Sequence, residues 1–184
     1  ALIIEKVSGL SFDQYLKTNI FSPLGMKDSA IYNNNRPLTH TATGYAVVDE
    51  KTVKALDPGV SSLHGNWNGA TGLISTVDDL FIWNEALHSG NVLSDKAYSE
   101  TITATVLPKG FKPPVEYGFG IAVERIAGFA ALGHVGEAPG FHAELLWLPN
   151  EKITFVFLAN TNRWELKYKA RTAEKIIQVV LGQQ

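Results

Sequence analysis

Apolar residues recur at two different spacings along the 184-residue chain, and the change between them falls near residue 115. In the first part the spacing is helical. Leu2, Ile3 and Val7 share one face, and Gly9 stands where such a helix would stop. Ser11 and Gln14 have capping-box spacing and predict a second helix with Phe12, Tyr15, Leu16 and Ile20 apolar, ended by "FSPLGM". Residues 33–70 are rich in Asn, Thr, Gly and Pro, so long loops are expected there, with a short hairpin around Tyr45 to Lys54. The clearest helix is "STVDDLFIWNEALHSG". Thr76 caps it, Asp78 and Asp79 suit its positive end, Gly90 closes it, and Leu80, Trp83 or Asn84, and Leu87 form a buried stripe. "LSDKAYSETIT" predicts another helix, capped by Ser94.

After "PKGFKPP" the pattern becomes strand-like. "EYGFGIAVERI", "GFAALGHVG", "FHAELLWLP" and "KITFVFLANT" read as four strands joined by tight turns, among them "PNEK" at 149–152. Phe155 and Phe157 alternate with Val156 and Leu158, so the sheet should be covered on both faces. A closing helix from about Trp164 to Leu181 would set Leu166, Ala170, Ala173, Ile177 and Val180 against it. The expected fold class is α+β (mixed α and β), an antiparallel sheet flanked by helices. Residues 1–114 form its helical and loop-rich portion, and residues 115–184 form the sheet and C-terminal helix of the same domain.

Composition narrows the function classes. Hydrophobic residues make up 45% and charged residues 18%, as in an ordinary globular protein. A net charge of −2 gives no electrostatic case for nucleic acid, so no such partner is expected. No apolar run reaches bilayer-spanning length, so no membrane segment is expected. With no cysteine, thiolate nucleophiles, thiolate metal sites and disulfides are excluded. The chain opens inside an apolar segment without an initiator Met, and the reading is of a truncated chain.

The candidate chemistry sits in "GHVGEAPGF", residues 133–141, where a titratable His134 stands beside residues without side chains. His134, His142 and Glu144 match no standard zinc spacing, so no metal is expected. "YGFG" lacks the third glycine and following helix of a dinucleotide fingerprint, and no cofactor is expected. Trp67, in the loop "HGNWNGATG", is the candidate substrate-facing aromatic.

"IIEKVSGLSFDQYL…IFSPLGM", "GATGLISTVDDLFIWNEAL", "YGFGIAV", "GHVGEAPGF" and "LPNEKITFVFLANT" occur together and in order. In this the chain resembles the C-terminal part of the serine β-lactamase-like family: class C β-lactamases, D-alanyl-D-alanine carboxypeptidases and their esterase relatives. The resemblance implies a partial β-lactamase/transpeptidase-like fold and a serine hydrolase acting on amide or ester bonds through an acyl-enzyme. Of the family's three motifs, "HVG" (His134 to Gly136) matches the Lys/His-x-Gly strand. No Ser in the chain has a Lys three residues later, so the nucleophile motif is missing. "YNN" at Tyr32 to Asn34 and "SGN" at Ser89 to Asn91 match the Tyr/Ser-x-Asn loop only formally, because both fall in the wrong place.

By the same resemblance, His134 is the catalytic, cleft-lining residue and Val135, Gly136 and Glu137 are substrate-binding. The Glu137 amide would donate to the oxyanion, and Gly136 would let substrate approach the strand. Histidine in place of lysine implies weaker demand for a substrate carboxylate. The implied partner is a small-molecule or peptide substrate, and the implied location is periplasmic or secreted. The span alone would be inactive, with self-association or reassembly with a missing N-terminal part expected. The alternative is a non-catalytic peptide- or glycan-binding module on the same fold.

Overall fold

The computed structural model describes residues 1–32, 40–47, 53–56, 69–106, 116–161 and 166–182, with backbone alone at 47, 53–56 and 166–172. Helix α1 (Leu2–Ser8) ends at Gly9, whose φ of 71° is the left-handed conformation expected of a stop. Ser11 and Gln14 form the reciprocal capping box that starts α2 (Phe12–Leu16). The helix then passes through a π-helical turn (Lys17–Phe21) into α3 (Ser22–Leu24), where Pro23 is tolerated in the first turn and Gly25 ends the run.

Strand β1 (Ala30–Ile31) pairs with β4 (Leu73–Ile74), and β2 (Gly44–Val47) pairs with β3 (Val53–Leu56) in the hairpin that the sequence suggests. Helices α4 (Val77–His88) and α5 (Asp95–Ile102) carry the expected caps at Thr76 and Ser94.

The stripe of α4 follows expectation at Asn84 and Leu87 and departs from it elsewhere. Its buried residues are Asp79, Asn84, Ala86 and Leu87, while Leu80 and Trp83 are half-buried. Polar groups can lie inward here because each has a partner. The Asp79 carboxylate accepts from the Asp28 amide (2.8 Å) and the Ser29 hydroxyl (2.7 Å). Asn84 donates through Nδ2 to Thr154 Oγ1 at 2.9 Å.

The second half forms an antiparallel meander in the order β5-β6-β7-β8-β9. Its strands are β5 (Glu116–Tyr117), β6 (Ala122–Ile126), β7 (Phe129–Ala138), β8 (Phe141–Leu148) and β9 (Ile153–Ala159). The run "EYGFGIAVERI" is therefore two strands and not one. It folds back so that Tyr117 pairs with Ala122. Gly120, at φ 81°, supplies the conformation that this reversal needs.

Helix α6 (Leu166–Val180) covers one sheet face. Leu146 and Leu148 of β8 lie fully buried against its Ala173 and Ile177, with Ile126, Phe129, Ile153 and Phe155 around them. Burying each such aliphatic side chain stabilises the fold by roughly 1.5–3 kcal/mol. Val180 departs from the predicted stripe and is 63% exposed. Leu166 and Ala170 lie outside the described side chains.

The opposite face receives α4. Thr154 of β9 donates to Glu85 Oε1 at 2.7 Å. The His88 ring stacks on Trp147 of β8, with centroids 5.2 Å apart and an interplanar angle of 11°. Helices on both faces satisfy the two apolar sides of β9, as its sequence requires. No helix among the described residues is long and apolar enough to cross a membrane.

Candidate active site

His134 lies within β7, paired with Leu145 of β8. Strand alternation puts these two side chains opposite Leu146 and Leu148, so the imidazole is on the α4 side of the sheet. The ring is exposed, at the rim of a cavity of about 360 Å³ between the sheet and α4. Trp83 and Leu87 of α4, together with Phe119, Ile121 and Leu145, give the cavity apolar walls, and Asn84 adds a polar group. A cleft of this size with few polar groups suits a small organic group.

His134 has a partner in Tyr117. Its Nε2 is 2.6 Å from the phenolic oxygen, and the rings meet edge to face at 5.7 Å. Burial raises the Tyr117 pKa above its ordinary value, which keeps the phenol protonated at neutral pH. Reading "EYGFGIAVERI" as a single strand misses this residue. The signal that could have found it is the pair Gly118 and Gly120, which mark a reversal inside an otherwise apolar run.

The glycines beside His134 serve different needs. A Cβ at Gly133 would fall on the Leu145 carbonyl oxygen of β8, so the fold itself demands glycine there. A Cβ at Gly136 would meet only Ala143 Cβ, at an ordinary 3.6 Å. Packing within the protein therefore does not require Gly136 to lack a side chain. Gly136 lies on the same face as His134, two residues along the strand.

Val135 and Glu137 project to the other face, paired with Glu144 and His142. What these two residues bring to the His134 side is backbone. Glu137 Oε1 lies 4.0 Å from His142 Nδ1 on that far face. His134 stands on the opposite side of the sheet from His142 and Glu144, so these three side chains do not converge. Among the described residues no group of three or more His, Asp or Glu is arranged to hold a metal ion. Trp67 and Asn33–Asn34 lie outside the described residues. Ser89 to Asn91 end α4 at an exposed turn, where Asn91 donates to Ser89 Oγ at 2.9 Å.

The far face has its own electrostatics. Glu144 is 5% exposed, and burial, reinforced by the Glu124 carboxylate, pushes its pKa up to about 7. Burial likewise raises Glu124 and lowers His142. On the α4 side, burial lowers His88 to about 4, with Glu85 acting in the opposite sense. His88 Nδ1 is 2.7 Å from Tyr98 Oη of α5. These groups surround the sheet without touching the cavity at His134.

An antiparallel meander with helices on both faces, and a His-x-Gly strand bordering the cleft, define a penicillin-binding-protein or transpeptidase-like fold. The chain belongs to the β-lactamase family, whose family model matches residues 1–178. It is 26% identical to penicillin-binding protein 4* of Bacillus subtilis over 194 residues, covering all of this chain and 42% of that protein. It is 24% identical to a D-aminopeptidase of Gluconobacter oxydans, covering 86% of this chain and 29% of that one. The chain thus spans less than half the length of these curated relatives.

Among solved structures, the octameric penicillin-binding protein homologue of Pyrococcus abyssi superposes with a TM-score of 0.81 at 25% identity. That match covers 99% of this chain and 40% of the other. The D-amino acid amidase of Ochrobactrum anthropi, complexed with L-phenylalanine amide, has the same fold, with a TM-score of 0.77 at 22% identity, over 98% of this chain and 56% of its own.

Proposed function

We propose that residues 1–184 form one wall of the active site of a serine hydrolase that cleaves amide or ester bonds through an acyl-enzyme. The single observation that carries this reading is His134 of the His-x-Gly strand at the rim of an apolar cleft, in a chain of the β-lactamase family. A serine hydroxyl on polypeptide outside this span attacks the substrate carbonyl carbon and gives up its proton to a neighbouring base. The amine or alcohol leaves with a proton, and water then releases the acid. The Glu137 amide donates to the oxyanion, and Gly136 leaves room for substrate along β7.

Relatives named D-aminopeptidase and D-amino acid amidase support an amide substrate of small size. Histidine at 134, where transpeptidases carry lysine, supports weaker dependence on a free carboxylate. Leu2, Ile3 and Val7 of α1 are each about four-fifths exposed, which supports packing of this helix against further polypeptide or a second copy. The 184 residues by themselves are inert on this reading. Trp67 remains a proposed aromatic contact to substrate.

The test is labelling with a fluorescent fluorophosphonate, followed by assay on D-amino acid amides and p-nitrophenyl esters. Labelling of the intact protein at a serine outside residues 1–184, together with turnover, is expected. Labelling of the 184-residue span alone, or a saturable peptide or glycan ligand without labelling of the intact protein, would overturn the reading in favour of a different nucleophile or a binding module.

A further inference from the structure

We propose that Tyr117 is a positioning residue for His134, donating its phenolic proton to Nε2 and so fixing the imidazole as the tautomer protonated on Nδ1. The inference rests on the reading above only in taking His134 to face substrate. The pair itself stands on the 2.6 Å separation and the edge-to-face ring geometry.

The phenol is held by its backbone. Tyr117 exchanges hydrogen bonds with Val106, its amide donating at 2.9 Å and its carbonyl accepting at 3.2 Å, and its carbonyl also accepts from Thr105 at 3.0 Å. The next residue, Gly118, lies so close to the end of α5 that a Cβ there would strike the Thr101 carbonyl oxygen. Phe119 donates to that same carbonyl at 3.0 Å. Tyr117 is thus anchored on both sides, and its hydroxyl reaches His134 from a fixed strand rather than a free loop.

The direction of the hydrogen bond follows from the two groups. A phenol O–H is a stronger donor than a neutral imidazole N–H, and the unprotonated imidazole nitrogen is a better acceptor than the phenol oxygen. Burial favours the un-ionised phenol further, so the tyrosine keeps a proton to donate. Nε2 then accepts, and the proton of the neutral ring resides on Nδ1. His134 in this state carries an N–H donor at Nδ1 and keeps no free lone pair. It polarises or orients a substrate oxygen and does not take up the nucleophile's proton. The residue thereby presents a hydrogen-bond donor where transpeptidases carry lysine.

The experiment is long-range ¹H–¹⁵N correlation of the histidine rings in the intact protein, with the His134 signals assigned by their loss in His134→Gln. An imine-type Nε2 and a protonated Nδ1 are expected. Tyr117→Phe keeps the ring and removes only the hydroxyl. It should move the tautomer ratio toward Nε2–H by about five-fold, the weight of one net hydrogen bond.

A protonated Nε2 in the unsubstituted protein, or imidazole shifts unchanged by Tyr117→Phe, overturns the proposal. Should that variant fail to fold, the unsubstituted protein still decides. A downfield, slowly exchanging Tyr117 hydroxyl proton correlated to Nε2 supports the proposal, and its absence counts against it. Activity separates the two readings. A protein without hydrolase activity sinks the proposed function and leaves the tautomer measurement intact, whereas an active enzyme with Nε2 protonated sinks this inference alone.

Discussion

Gly133 and Gly136 flank the same histidine, yet the structure asks different things of them. At 133 the Leu145 carbonyl oxygen occupies the place of a side chain, and at 136 only a methyl at van der Waals distance is nearby. Gly133→Ala should therefore destabilise the protein by about 2–3 kcal/mol, as overpacking against an immovable backbone does. Gly136→Ala should change stability by less than about 0.5 kcal/mol, because nothing in the fold opposes it. If Gly136 serves substrate approach, the same substitution should lower kcat/KM for amides or esters at least ten-fold. Urea unfolding midpoints and steady-state kinetics on the intact protein check the pair. A stability loss at 136 as large as that at 133 would make both glycines structural. His134 is legible in the sequence because its glycine neighbours and ordered motifs single it out. Tyr117 is not, since its link to His134 depends on a two-residue strand and a reversal that hydrophobic alternation alone does not mark.

Helix α4 shows what periodicity conveys and where it stops. Its caps, length and end follow from Thr76, the two aspartates and Gly90, and the structure reproduces them. Its inward face follows only in part: Asn84 and Leu87 are on the expected stripe, but a stripe drawn from apolar spacing does not include Asp79, whose partners are distant in sequence. Asp79 binds the Asp28 amide and the Ser29 hydroxyl about fifty residues away, and it receives its own cap from Thr76. It joins the end of the α1–α3 segment to the start of α4. Removing the carboxylate leaves the Asp28 amide without that acceptor. Asp79→Ala should cost about 2–3 kcal/mol, more than the roughly 1 kcal/mol of losing the Thr76 cap in Thr76→Ala. Denaturant titration of both variants tests the order, and a Thr76→Ala loss equal to or larger than the Asp79→Ala loss would reduce Asp79 to a helix-end charge. The four predicted strands become five for a related reason. The glycines of "YGFG" permit either a bulge or a reversal, and only the pairing of Tyr117 with Ala122 decides between them.

Across the whole molecule, the histidines and glutamates that burial shields around the sheet pull stability in opposite directions as they titrate. On the α4 face, His88 is packed on Trp147, bonded to Tyr98 and near Glu85, and burial lowers its pKa from 6.5 to about 4. The unfolded chain takes up this proton first as pH falls. The histidine's contribution is therefore complete above pH 6.5 and is lost as pH drops toward 4. On the α6 face, burial and Glu124 raise Glu144 from 4.5 to about 7. Here the folded chain holds the proton longer, so the contribution is complete below pH 4.5 and is lost as pH rises toward 7. Glu124 adds to the second slope, and His142, although it lies on the α6 face, adds to the first, because burial raises the carboxylate and lowers the imidazole. Between pH 4.5 and 6.5 the slopes from His88 and Glu144 oppose each other, and the intact protein should show a shallow profile there. Single substitutions should tilt it in opposite directions. His88→Phe keeps the stacking and removes the acid-side loss, so its thermal midpoint should fall with rising pH relative to the parent. Glu144→Gln removes the alkaline-side loss, so its midpoint should rise with pH across the same interval. Thermal melts at half-unit pH steps decide the matter. Two variant profiles parallel to the parent would mean that neither group is buried against its charge as the fold implies.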